Sequence, residues 1–122
     1  MTQPTGTSLV TESGASIAAH VEIADNWWKR FKGLQFRRPL AKDHAILLRP
    51  CPSIHTFWMR FAIDVVFLDG EGRVVDIRRN VRPWRTVIPK TRSVMVVEMT
   101  SGALPAHLTE GDVVRWSDGE RL

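Results

Sequence analysis

The chain has 122 residues, 43% hydrophobic and 25% charged, with 17 basic against 13 acidic side chains and a net charge of +4 at pH 7. That length gives one domain, residues 1–122, whose core buries about two thirds of the unfolded surface without covalent staples, and a single cysteine excludes an internal disulfide. Residues 1–14 lack a basic region followed by an apolar core, and no apolar run approaches the ~20 residues that cross a bilayer, so the expectation is a soluble cytoplasmic protein with no membrane partner.

Residues 1–7 read as a frayed start and 8–11 as a short edge strand, with a turn at Gly14. Ile17, Ala19, Val21 and Ile23 alternate with Ala18, His20 and Glu22, the pattern of one half-buried strand with His20 on the surface. Asp25 is a good N-cap, and Ala24, Trp27, Trp28, Phe31 and Leu34 form an apolar helical stripe opposite Lys29, Arg30 and Lys32. The spacing therefore predicts a short amphipathic helix over residues 25–32, packed onto a sheet by its two tryptophans and closed at Gly33. Core packing accounts for both indoles, although a nucleic-acid reading would use them as stacking platforms. Residues 36–43 read as a loop and 45–48 as an apolar strand.

Residues 51–72 organise the chain. Pro50 and Pro52 flank Cys51 and favour extended backbone before them. If the chain stays extended, His55, Phe57, Met59, Phe61 and Ile63 share one face, read as core, and Thr56, Trp58, Arg60, Ala62 and Asp64 share the other. The run Val65-Val66-Phe67-Leu68 suits a strand buried on both faces. Asp69-Gly70-Glu71-Gly72 is a turn signal, and a hairpin through Gly70 and Glu71 places Phe67 opposite Val74 and Val65 opposite Asp76.

Residues 78–89 are basic and interrupted by prolines, a loop anchored by Trp84 that forms a flap beside the site. Val94, Met95, Val96, Val97 and Met99 mark another buried strand. Residues 103–108 read as a helical turn, 110–112 as a turn, 113–116 as the last strand and 118–122 as a frayed end. The fold class is thus α+β, predominantly β: a barrel-like antiparallel or mixed sheet of about six to eight strands with one amphipathic helix packed on it.

The sequence Arg30-Phe31-Lys32-Gly33-Leu34-Gln35-Phe36-Arg37, then residues 54–68, then Val97-Glu98-Met99 with Gly102, then Glu110-Gly111-Asp112, resembles the prokaryotic family filed as domain of unknown function 192. The resemblance runs from about Ile17 to Trp116. Gln35 stands where the family usually has methionine, and the connection from Met59 to Asp64 is shorter than the common form. The resemblance implies a small β-rich α+β domain and no established activity.

Cations fall in two acid-free blocks, Lys29 to Lys42 and Arg78 to Arg92. Such blocks serve either as solvated faces or as one positive surface. The planar fork of arginine suits carboxylate or phosphate. The leading expectation is therefore a domain binding a small anionic ligand or partner through Arg38, His55, Trp58, Arg60 and Asp64, with Trp84 as a wall. A hydrolase or transferase using Cys51, or the His55 and Asp64 pair, is the alternative, and nucleic-acid binding through the basic blocks is the second alternative. For Asp64 the competing reading is a structural acceptor of backbone amides. Cys51, His55 and Met59 have the residue types of a soft-metal site, but four extended residues span ~13 Å, so neither a metal nor another cofactor is expected.

Overall fold

A computed structural model describes residues 8–26, 29, 34 and 37–122. Its strands are β1 (Leu9–Thr11), β2 (Ser16–Ala18), β3 (His20–Ala24), β4 (His44–Leu48), β5 (Ile54–His55), β6 (Ile63–Leu68), β7 (Val74–Val81), β8 (Thr86–Val87), β9 (Met95–Thr100) and β10 (Val114–Trp116). Strands β3, β4, β9, β6 and β7 form, in that order, the central five-stranded sheet. Only the β3–β4 pair in it is parallel. A second sheet has the order β10-β1-β2, and β5 pairs with β8 as a two-stranded ribbon.

The central sheet is apolar on both faces because β6 and β9 carry continuous apolar runs rather than an alternating pattern. One face, with Leu47, Val66, Val97 and Met99, packs against Leu9, Ile17 and Trp116 of the three-stranded sheet and against Leu104 and Leu108. The other face, with Ile46, Val65, Phe67 and Val96, is covered by Leu34, Cys51, Ile54, Met59 and Val87. Phe67 has no solvent exposure, and complete burial of such a ring stabilises the fold by about 1.5–3 kcal/mol.

This mostly β architecture agrees with the sequence, but the central sheet is open, with β3 and β7 as its edges, and does not close into a barrel. Its two faces are instead covered by the second sheet and by the segments around β5 and β8. The helix expected at residues 25–32 falls largely outside the described residues; what is described there is the bond from the Lys29 amide to Asn26 Oδ1, 2.9 Å. The single strand expected over residues 17–23 is broken into β2 and β3, because Ala19 and His20 both turn their amides to the carbonyl of Asp43.

The hairpin is present with a shifted register: Leu68 lies opposite Val74, Phe67 opposite Asp76 and Val65 opposite Arg78. Asp69 N bonds Arg73 O, Gly72 adopts a left-handed φ of 84°, and the strands recover through a bulge after Phe67. The basic stretch expected as a loop from residue 78 instead continues β7 to Val81 and forms β8. At the end of the chain Trp116 N bonds Glu120 O, Arg121 pairs with Glu71 at 2.6 Å, and Leu122 packs on the core.

Candidate functional site

Between β5 and β6 the chain is irregular, which overturns the simple alternation expected there. Thr56 and Met59 are buried, whereas His55, Phe57, Trp58 and Arg60 are exposed. Thr56 is the cause. Its amide donates to Arg85 O (2.8 Å), and its hydroxyl donates to Arg82 O (2.6 Å) and accepts from Arg85 N (2.8 Å). Its carbonyl accepts from Trp84 N (3.0 Å) and from Met59 N (3.2 Å). One side chain and its own peptide groups thus hold two loops against each other.

The consequence is an exposed aromatic cluster. Trp58 and Trp84 meet edge to face at 4.8 Å, Phe57 stacks on Trp84 at 5.8 Å, and the His55 ring lies 4.9 Å from Phe57. Trp58 and Trp84 remain 54% and 53% exposed, and Phe57 37%. Both tryptophans sit in the left-handed region, at φ 65° and 67°. That conformation costs a β-carbon residue about 1–2 kcal/mol, and exposed rings recover little of it by burial.

Beside this cluster lies a groove of about 480 Å³ lined by Arg78, Arg79, Asn80, Arg82 and Arg85 among others. Arg78 forms two bonds to Asp76 Oδ2, at 2.9 and 3.1 Å. Burial pushes the Asp76 carboxyl up, but the Arg78 guanidinium and the Lys90 amide outweigh it and hold its pKa below the ordinary carboxylate value. Arg79 donates to the carbonyls of Leu104 and Pro105, and Arg85 to that of Pro83, and neither forms a salt bridge among the described residues.

The structure thus brings His55, Trp58 and Trp84 together and puts Arg82, Arg85 and Phe57 with them. Sequence reasoning left Phe57 out because alternation assigned it to the core. Arg60 is exposed on the same loop as Trp58. Arg38 is exposed in the loop before β4, where its neighbour Arg37 pairs with Glu22 at 2.8 Å. Asp64 is buried, and its carboxylate accepts from the amides of Asn80 (2.9 Å), Gly102 (2.9 Å) and Leu104 (3.2 Å). These bonds fix two left-handed residues, Asn80 and Gly102, at the end of β7 and after β9.

Cys51 is buried and donates its thiol to Ser53 O at 3.1 Å. It forms the floor of another groove, about 570 Å³, edged by Pro50, Pro52, Ile88, Lys90 and Arg92. His55 Nδ1 faces its own loop, 3.3 Å from Phe57 N. His55, Cys51 and Asp64 therefore spend their polar atoms on separate partners. Among the described residues no three His, Cys, Asp or Glu side chains converge as a metal site, and no helix is long and apolar enough to cross a membrane.

The family model DUF192, described as an uncharacterized ACR, matches residues 8–116. The chain belongs to the DUF192 family. Relatives include the UPF0127 protein of Pyrococcus furiosus, 38% identical over 113 residues covering 89% of this chain and 97% of that protein. The UPF0127 protein of Pyrococcus horikoshii is 40% identical, covering 88% and 97%. Among solved structures, a protein of unknown function from Novosphingobium aromaticivorans has a TM-score of 0.77 at 18% identity, covering 95% of this chain and 91% of that one. A protein of Sinorhizobium meliloti named provisionally as a transcription regulator has a TM-score of 0.76 at 24% identity, covering 90% and 91%. These two likenesses show that the fold recurs in solved structures.

Proposed function

We propose that this DUF192 domain is a binding module that takes an anionic ligand carrying a flat ring at the cluster of Phe57, Trp58 and Trp84. The observation that carries this reading is the presentation of two exposed tryptophans on left-handed backbone, clamped from beneath by Thr56. Backbone strain of this kind persists where the surroundings over-determine it, and it gathers at ligand clamps. Arg82 and Arg85 flank Trp84 in sequence and supply the anion partner, while the ring faces offer stacking. Arg60 and His55 stand at the rim, and Arg38 and Asp64 are not required.

The test is indole proton NMR during titration with a nucleoside monophosphate. The Trp58 and Trp84 signals shift and the buried Trp116 signal does not; inorganic phosphate alone moves the two less. Uniform or absent shifts would end the proposal.

A further inference from the structure

We infer that the ligand class of this aromatic site is single-stranded nucleic acid, an inference that rests on the binding reading above. Two features point past a single nucleotide. The cluster offers three rings rather than one, with Phe57 stacked on Trp84 and Trp58 set across it. A mononucleotide needs one ring face, whereas a strand lays successive bases on several. The second feature is the groove of about 480 Å³ along β7, lined by Arg79 and by Arg82 and Arg85, the two arginines that flank Trp84 in sequence. A groove of cations leading onto an aromatic platform is the arrangement that tracks a phosphate backbone while its bases stack.

Charge favours a polyanion over an apolar partner. From Ile77 to Val97 the sequence has six basic residues and no acid. Asp76 engages Arg78, and Glu110 engages Lys90 at 2.6 Å. No ion pair is formed by Arg79, Arg82 or Arg85 among the described residues. Exposed rings distinguish this surface from a merely solvated basic face, and a run of acidic side chains such as poly-glutamate engages the arginines alone and offers the tryptophans no ring to stack on. A duplex has its bases already stacked, and the paired loops that carry these rings are neither a helix nor a long ribbon that would enter its major groove.

The experiment is fluorescence anisotropy with a labelled thymidylate strand of about 20 nucleotides, long enough for one site. Heparin, poly-glutamate and the same length of duplex serve as competitors, and thymidine monophosphate is titrated in parallel by indole NMR. The strand binds tighter than the duplex and resists displacement by poly-glutamate. With three backbone contacts the slope of log K against log salt is about −2, roughly a twentyfold loss between 50 and 200 mM. The double variant R82A/R85A flattens that slope. Trp84→Ala weakens binding at least tenfold, whereas Trp84→Phe keeps most of it; unchanged melting temperatures show that each variant folds.

Monophosphate shifts at Trp58 and Trp84 with no tighter binding of the strand would overturn this inference and leave the binding reading standing. Poly-glutamate or heparin binding as tightly as the strand would overturn it in favour of an acidic protein or charge alone. Silence of both indoles toward monophosphate and strand alike would remove both.

Discussion

Thr56 and Arg85 are bonded in both directions: the amide of Thr56 donates to Arg85 O at 2.8 Å, and the amide of Arg85 donates to Thr56 Oγ1 at 2.8 Å. The same hydroxyl donates to Arg82 O at 2.6 Å, so it holds both sides of the Trp84 loop. Thr56→Val keeps the shape and the amide bond but deletes both hydroxyl bonds, leaving Arg85 N and Arg82 O without that partner. We expect a loss of about 2–4 kcal/mol by urea unfolding. Near-UV circular dichroism of the coupled indoles should fall in the folded variant, and Thr56→Ser should restore most of both. An unchanged spectrum in Thr56→Val would mean that the loops do not depend on this hydroxyl.

Asp64 poses a choice between two roles that one substitution separates. Its oxygens accept three backbone amides from segments that are distant in sequence. Asparagine keeps one acceptor oxygen and turns the other into a donor facing amides. The expected result for Asp64→Asn is a destabilisation of about 2–4 kcal/mol, with ligand affinity at the aromatic site unchanged in whatever fraction remains folded. Full stability combined with lost binding would return Asp64 to the ligand site.

Gly72 and Gly70 lie in one turn and respond oppositely. A Cβ on Gly72 would stand 2.7 Å from the carbonyl oxygen of Val114, and its φ is 84°. That carbonyl cannot withdraw easily, because Val114 N already donates to Gly72 O at 2.8 Å, tying the hairpin to β10. Gly72→Ala should cost about 2–4 kcal/mol, the left-handed penalty plus the displaced contact. Around Gly70 an added Cβ meets nothing within 4 Å. Gly70→Ala should fall within about 0.5 kcal/mol of the parent or slightly above it. Equal effects in thermal melts would contradict the close approach of the two backbones.

The readable parts of the sequence were those where one short segment determines its own structure. Val65 to Leu68 announced a strand buried on both faces, and the Asp69–Gly72 signal announced its turn. The register is not legible there because it contains a bulge after Phe67, and the turn that precedes β7 also meets β10, where Gly72 lies against Val114, 42 residues away in sequence. Closure into a barrel escaped for a related reason: strand count does not say which strands remain edges. At the site, Trp58 is legible as a ring sharing a face with Arg60 and Asp64, and Trp84 as the anchor of a basic, proline-interrupted loop. The inward turn of Thr56 was invisible because its partners lie at Arg82, Trp84 and Arg85, and without it alternation sent Phe57 to the wrong side. Val94 to Met99 reads as a buried strand, and Glu98, which enters the sequence reading only as part of the family motif, is itself a signal as a lone carboxyl in an apolar run.

Glu98 lies in β9 between Ile46 of β4 and Val65 of β6, on the apolar face, and its Oε1 has no hydrogen-bond partner among the described residues. Burial raises its pKa from 4.5 to about 7. A carboxyl whose folded pKa lies above its unfolded value binds its proton more tightly when folded. Its contribution to stability is therefore complete below pH 4.5 and is lost as the pH rises through about 7. The shift corresponds to a difference on the order of 3 kcal/mol between the acid and alkaline limits. The measurement is a difference, so that every other contribution to the pH profile cancels: urea unfolding of the parent and of Glu98→Gln at pH 5 and pH 8. The glutamine variant should lie near or below the parent at pH 5 and above it at pH 8. Parallel pH profiles for the two proteins would show that Glu98 is either partnered or hydrated, and that its proton has no bearing on the fold.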